Sequence, residues 1–407
     1  MKRTRTKTAD TAALAKKKKR PSRAHNALNY DWTLVFMVLF LIGLGLVLLY
    51  SASYYNASVK FGNPMFYVKK QAFYSMLGLC SMAALAHLDY HKYYHAAGIL
   101  YLLSLGVNIL VLFAGSTYSG STRWLSIGGF SVQPSETAKI AVVILTAHMV
   151  CRISKKMGSF KAVATIFATM LPIIAVVAVN NLSTGIILMG ITAMMLFVSS
   201  PKYMQFVGMF AGLVAVASVF LIIAPYRVTR IQIWLHPENY DKGYQTLQGL
   251  YAIGSGGIFG KGFGQSLQKL GYVPELENDM IFSIICEELG LIGAICVLLL
   301  FVLLIWRFML IANNADDMFG SLLVVGFMCH IALQVILNIA VVTNSIPNTG
   351  VSLPFISYGG SSVFFLLSEL GIVLNVSHGI RLESLEEKDV ASGGKKSRKR
   401  RVRSRNA

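Results

Sequence analysis

Ten mostly apolar runs, each near the length of one bilayer crossing, divide this chain of 407 residues and leave little room for a water-soluble core. A helix needs about 20 apolar residues to cross the hydrocarbon layer. The runs fall at 32–52, 71–88, 94–115, 136–153, 162–179, 182–199, 203–224, 280–306, 319–342 and 361–376. They predict an all-α, polytopic membrane protein of about ten transmembrane helices. Composition agrees, because 55% hydrophobic and only 14% charged residues cannot describe a soluble globule of this size. The first run is longer than the roughly 7 to 15 residues of a cleaved signal's apolar region, so it is read as a span.

The net charge of +19 would suggest nucleic acid if it were spread evenly. Much of it instead sits in two tails. Residues 2–23 hold ten Lys or Arg against the single acid Asp10, and residues 395–405 hold eight more with no acid. Beside hydrophobic spans, such runs set topology more often than they bind DNA. No nucleic-acid partner is expected. The chain divides into a basic tail (1–30), a membrane domain (31–378) and a second basic tail (379–407). With both tails in the cytoplasm, the short inner connections carry Lys92, Arg152, Lys155, Lys156, Lys161, Lys202 and Arg307, as the positive-inside rule requires. An even number of spans is then needed, and the polar break at Asn180 and Asn181 supplies it by separating two helices. The segments 56–67, 116–135, 225–279 and 345–360 face outward, the long third one joining helices 7 and 8. The five cysteines, Cys80, Cys151, Cys286, Cys296 and Cys329, lie in apolar stretches without ligand spacing and read as packing residues.

Four outer clusters carry the polar chemistry. In STRWLSIGGFSVQPSETAK, Arg123 and Trp124 stand at the interface, and Lys139 lies within an apolar span one turn from Glu136, where a charge is expensive and usually faces a cavity. In PYRVTRIQIWLHPE, Arg227 and Arg230 either snorkel to headgroups or bind a lipid phosphate. In PELENDMIFSIICEELG, Asp279 stands at the mouth of a helix with Glu287 eight residues deeper, and either is a solvated cap or a general base. In SIPNTGVSLPFISYGGSS, Gly359, Gly360, Ser361 and Ser362 open a helix with free amides and hydroxyls, which make either an ordinary cap or an anion site. The run GSGGIFGKGFG (254–264) looks superficially like a phosphate loop. It lacks the preceding strand and the Lys-Ser/Thr ending, so it reads as a flexible turn or a re-entrant segment.

From about Tyr30 to His378 the chain resembles the SEDS family, the group that contains FtsW, RodA and SpoVE. The resemblance rests on YDWTLVFMVLFLIGLGLVLLYSAS, STRW, QPSETAK, GYQTLQGLYAIGSGG, PELENDMIFSIICEELG and LPFISYGGSS, in that order. It implies a ten-helix peptidoglycan glycosyltransferase of the bacterial cytoplasmic membrane. Such an enzyme polymerises lipid II on the outer face and works with a class B penicillin-binding protein. The basic extensions and overall pattern lean toward the division branch, FtsW, and so toward divisome partners and the septum. The family's essential acid, in PE-x-x-x-D-F-I-F, falls on Asp279, with Met280 at one aromatic position. The family's usual P-D-L-G-T motif is replaced by Asn180, Asn181, Leu182, Ser183 and Thr184, so no role passes to Asn181. Joining two lipid-linked disaccharides needs a base for the acceptor hydroxyl and positive charge for the departing diphosphate. Asp279 suits the first task. Arg123, Lys139, Arg227 and the segment of Ser357, Gly359, Gly360 and Ser361 are candidates for the second. A divalent cation could share it, although no ligand cluster is legible. The competing readings are a flippase for the same lipid, a polymerase serving elongation or sporulation, and a non-catalytic division scaffold.

Overall fold

The protein is described by a computed structural model over residues 30–118, 121–127, 130–208, 231–378 and 380. Its helices are α1 (Trp32–Phe61), α2 (Phe66–His87), α3 (His91–Ala114), α4 (Pro134–Ile153), α5 (Phe160–Asn180), α6 (Leu182–Ser199), α7 (Tyr244–Gly256), α8 (Ile281–Asn314), α9 (Met318–Val342) and α10 (Gly360–Ser377). All but α2 and α7 are long and apolar enough to cross a membrane, which makes eight candidate spans among the described residues. Helix α2 is the second expected span, and Lys69 and Lys70 near its start dilute its apolar character. Of the seventh expected span, only residues up to 208 are described, and 204–208 are helical. Both basic tails lie outside the described residues, apart from Tyr30 and Ile380.

The burial pattern fits lipid as solvent. Helices α9 and α10 are mostly enclosed by protein, whereas α1, α3, α5 and α8 turn much of their apolar surface outward. Phe36, Phe40, Ile99, Leu102 and Leu299 are exposed large hydrophobics of that kind. Small residues allow the closest approaches in the centre. A Cβ at Gly78 of α2 would meet Leu367 of α10, and one at Gly371 would meet the Met82 carbonyl at 2.6 Å, so these two helices touch almost backbone to backbone.

Three expectations gain detail. The Asn180–Asn181 break does separate two helices: α5 ends at Asn180, and the Asn181 side chain caps α6 by accepting from the Thr184 amide at 3.2 Å. The outer segment before α4 is an antiparallel meander of β1 (Ser116–Tyr118), β2 (Ser121–Ile127) and β3 (Phe130–Val132), a small addition to an otherwise helical chain. Alternating residues such as Thr122, Trp124 and Ser126 form it, and strands this short lie outside what span-length reading detects. The expected 225–279 loop also holds structure, since α7 packs along the first turns of α8.

Candidate active site

Three of the four polar clusters meet around one cavity of about 500 Å³. Its wall takes Lys70 and Tyr74 from α2, Trp124 from β2, Glu136 and Lys139 from α4, and Asn181 and Thr184 from the start of α6. Asn278 before α8, Gly350–Ser352 after α9 and Gly359–Ser362 at the start of α10 complete it. The lining therefore comes from segments far apart in sequence that all end at the same level of the bundle.

Two of its charged groups form an ion pair. Lys139 Nζ lies 2.8 Å from Glu136 Oε2, and both side chains are buried. One helical turn of separation lets them meet. Ser362 Oγ donates to the same Glu136 oxygen at 3.4 Å, which ties α10 to α4. Helix α10 begins without a side-chain cap, and a Cβ at Gly360 would fall on the Tyr74 ring. Its first turn thus presents its own amides, together with Ser361 Oγ, which is buried and has no protein partner. Such a helix start favours an anion.

Asp279 sits behind this wall, in the turn that precedes α8, and is buried. Gln245 Nε2 donates to its Oδ1 at 3.3 Å, and Asn338 Nδ2 donates to its carbonyl at 2.8 Å. Its other oxygen, Oδ2, stands 3.8 Å from where a Cβ on Gly350 would be. Gly350 has φ of 66° and forms part of the cavity lining. The neighbouring turn is held by Tyr358 N donating to the Glu277 carbonyl at 2.8 Å and by Asn56 Nδ2 donating to Glu277 Oε2 at 3.2 Å.

A family model described as Cell cycle protein, covering FtsW, RodA and SpoVE, matches residues 32–382. The chain belongs to the FtsW/RodA/SpoVE family. Stage V sporulation protein E of Bacillus subtilis strain 168 is 38% identical over 358 residues, spanning 85% of this chain and 96% of that protein. A probable peptidoglycan glycosyltransferase FtsW of Geobacter sp. strain M18 is 35% identical over 363 residues, spanning 87% and 98%. Among solved structures, a chain of a peptidoglycan synthase complex that coordinates polymerization and crosslinking matches with a TM-score of 0.69 and 26% identity, over 86% of this chain and 98% of that one. The rod shape determining protein RodA of Thermus thermophilus matches with a TM-score of 0.62 and 27% identity, over the same shares.

In this FtsW/RodA/SpoVE chain the sequence candidates separate into groups. Lys139, Gly359, Gly360 and Ser361 line the cavity. Asp279 adjoins it through Gly350. Ser357 does not line it. Its hydroxyl accepts from Leu353 N at 2.8 Å and its carbonyl accepts from Gln71 Nε2 at 3.1 Å, so it shapes the turn before α10. Of Arg123 the backbone is described, within β2. Arg227 and Arg230 lie outside the described residues. Glu287 does not line the cavity, and its carboxylate is taken up by Lys261 and Ser266. For a divalent cation, no group of three or more His, Cys, Asp or Glu exists among the described residues. Glu136 is engaged by Lys139, and the Asn181 oxygen is spent on Thr184, so this donor set does not fit a metal. Sequence reading missed Gln245, Asn338 and Gln334, although two amides spaced one turn apart in the apolar α9 were a visible signal. It also missed the buried His330–Glu369 pair at 2.8 Å, which joins α9 to α10.

Proposed function

We propose that this multi-pass membrane protein is a peptidoglycan glycosyltransferase that polymerises lipid II into glycan strands at the outer face of the cytoplasmic membrane. The observation that carries this is the placement of Asp279, an acid held by amides beside a polar cavity that also presents Lys139 and the open start of α10. The names of the relatives support the same chemistry. The acceptor sugar hydroxyl gives its proton to the Asp279 carboxylate as its oxygen bonds to the donor's anomeric carbon. The bond from that carbon to the diphosphate breaks, and undecaprenyl diphosphate leaves. Lys139 and the amides around Gly360 and Ser361 stabilise the charge that gathers on the diphosphate. Arg123 and Arg227 are assigned to the same anion from their place in the sequence.

A class B penicillin-binding protein is the partner proposed to crosslink the product, with other divisome proteins at the septum. The FtsW-like division role is favoured over elongation or sporulation by the long basic extensions. Purified protein with its transpeptidase partner, given lipid II already in detergent, should form glycan polymer. A flippase or a scaffold would leave the lipid unconsumed under those conditions, and that result would overturn this reading.

A further inference from the structure

Helix α8 is broken. Gly290 has φ of 68° inside its 34 residues, so the ladder of helical hydrogen bonds is interrupted there. In lipid the freed backbone groups must find partners within the protein. The segment after α7 provides them. Leu291 N donates to the Gly257 carbonyl at 2.9 Å and Ile292 N to the Ile258 carbonyl at 3.2 Å, while Lys261 N donates to the Glu287 carbonyl at 2.9 Å and Gly262 N to that of Glu288 at 3.0 Å. Glycine makes this possible, because a Cβ at Gly256, Gly260 or Gly290 would fall on the backbone of the facing chain. The charges of the splice are matched internally. Glu287 takes Lys261 Nζ at 2.6 Å, and Glu288 takes Lys269 Nζ at 2.8 Å together with Ser51 Oγ of α1 at 2.7 Å. What points outward is largely apolar: Phe259 is 81% exposed, and Ile258, Phe263 and Leu267 are exposed beside it, with Lys261 and Gln265 the exposed polar side chains among them.

The height of this splice follows from a second ion pair. Asp31 and Arg307 join α1 to α8 at 2.6 Å near the opposite end of both helices. From Asp31 to Ser51 along α1 is 20 residues, about 30 Å, and from Arg307 back to Glu288 along α8 is 19, about 28 Å. Two helices thus connect the same two charged levels over the thickness of one hydrocarbon layer, about 30 Å. The outward residues of the splice also continue the exposed apolar flank of α8 through Leu291, Ile295, Leu299 and Val302.

We infer that residues 257–270 form a re-entrant hook seated in the bilayer itself, with Ile258, Phe259, Phe263 and Leu267 inserted at the boundary between acyl chains and headgroups on the cavity side. Lipid is the occupant because the face is level with the hydrocarbon boundary, continuous with a membrane-spanning flank, and bonded through its backbone to α8 on both sides of the break. Being fastened to Gly290, the hook fixes how far the start of α8 rises above the lipid. Ile281 is nine residues beyond the break, or about 14 Å along the axis.

The test adds one tryptophan at an exposed position of the full-length protein, Phe259→Trp or, independently, Leu267→Trp, in nanodiscs containing phospholipids brominated at defined depths. The added emission, taken against the wild-type protein, should be quenched most by bromines near the ester end of the acyl chain and little by aqueous iodide. Strong iodide quenching without bromolipid quenching at both positions would show a water-facing loop and overturn the inference. Quenching by neither would also overturn it, by showing that protein covers this face. Strongest quenching from bromines near the chain's methyl end would contradict the interfacial height.

Discussion

Asp279 is oriented by amides from separate segments. Gln245 Nε2, at the start of α7, donates to Oδ1, and Asn348 Nδ2 donates to Gln245 Oε1 at 3.2 Å, which fixes the way the Gln245 amide faces. The other oxygen, Oδ2, lies on the side of Gly350, which lines the cavity. A hydrogen bond to a charged group contributes about 1.5–3 kcal/mol. Gln245→Leu should therefore lower turnover by roughly ten- to a hundredfold with the fold retained, as initial polymerisation rates and thermal unfolding would show. An unchanged rate would remove Gln245 from the account. The Lys139–Glu136 pair makes a different prediction, because breaking a buried pair strands a charge. Lys139→Met should destabilise the protein by about 3–5 kcal/mol, and adding Glu136→Gln should restore much of that loss without restoring activity. If Lys139→Met melted like the wild type in detergent, the two groups would not be coupled as their 2.8 Å separation indicates.

Helix α8 and its glycine-rich neighbour show how an element depends on a distant backbone. Gly260 has φ of 80°, and a Cβ there would strike the Glu288 carbonyl, whereas Gly254 in α7 has open space around it. Gly260→Ala should cost about 1–3 kcal/mol, and Gly254→Ala should be neutral or gain up to about 1 kcal/mol of helix propensity. Equal melting temperatures for the two variants would argue against the splice. Span-scale elements such as α1, α6 and α9 were legible in the sequence because lipid imposes a minimum apolar length, and Asn181 was legible as a break because its side chain caps locally. The GSGGIFGKGFG run was legible only as far as a flexible turn or a re-entrant segment, since its conformation is decided by Glu287, Glu288 and Gly290, which follow it by more than twenty residues. Asp279, Lys139 and the α10 start announced themselves as charge or glycine next to apolar runs. Gln245 and Asn348 did not, because an amide in a polar loop looks like any other until the loops that face it are in place. The β1–β3 meander escaped for a similar reason, its strands being only three to seven residues long.

At the scale of the whole molecule, the cavity, the acid and the hook all lie toward one end of the bundle, and the positive-inside pattern predicts that this end faces outside the cell. Cysteine introduced at exposed Glu238, in a background lacking the native cysteines, should react with a membrane-impermeant maleimide on intact cells. Cysteine at exposed Lys155 should react only after permeabilisation. The reverse result would invert the topology and place the cavity in the cytoplasm. In the expected orientation, the hook meets the outer leaflet while Asp279 stands above it, where a sugar headgroup can reach the acid and the polyprenyl tail remains in lipid. Everything in this arrangement converges on the basicity of one carboxylate. Asp279→Asn keeps the size of that side chain and its capacity to accept from Gln245, but removes its ability to take a proton. In the purified protein with its transpeptidase partner, polymerisation of lipid II by Asp279→Asn should fall by at least about a hundredfold while thermal stability and partner binding stay at wild-type values. Near-normal polymerisation by a well-folded Asp279→Asn protein would contradict the account.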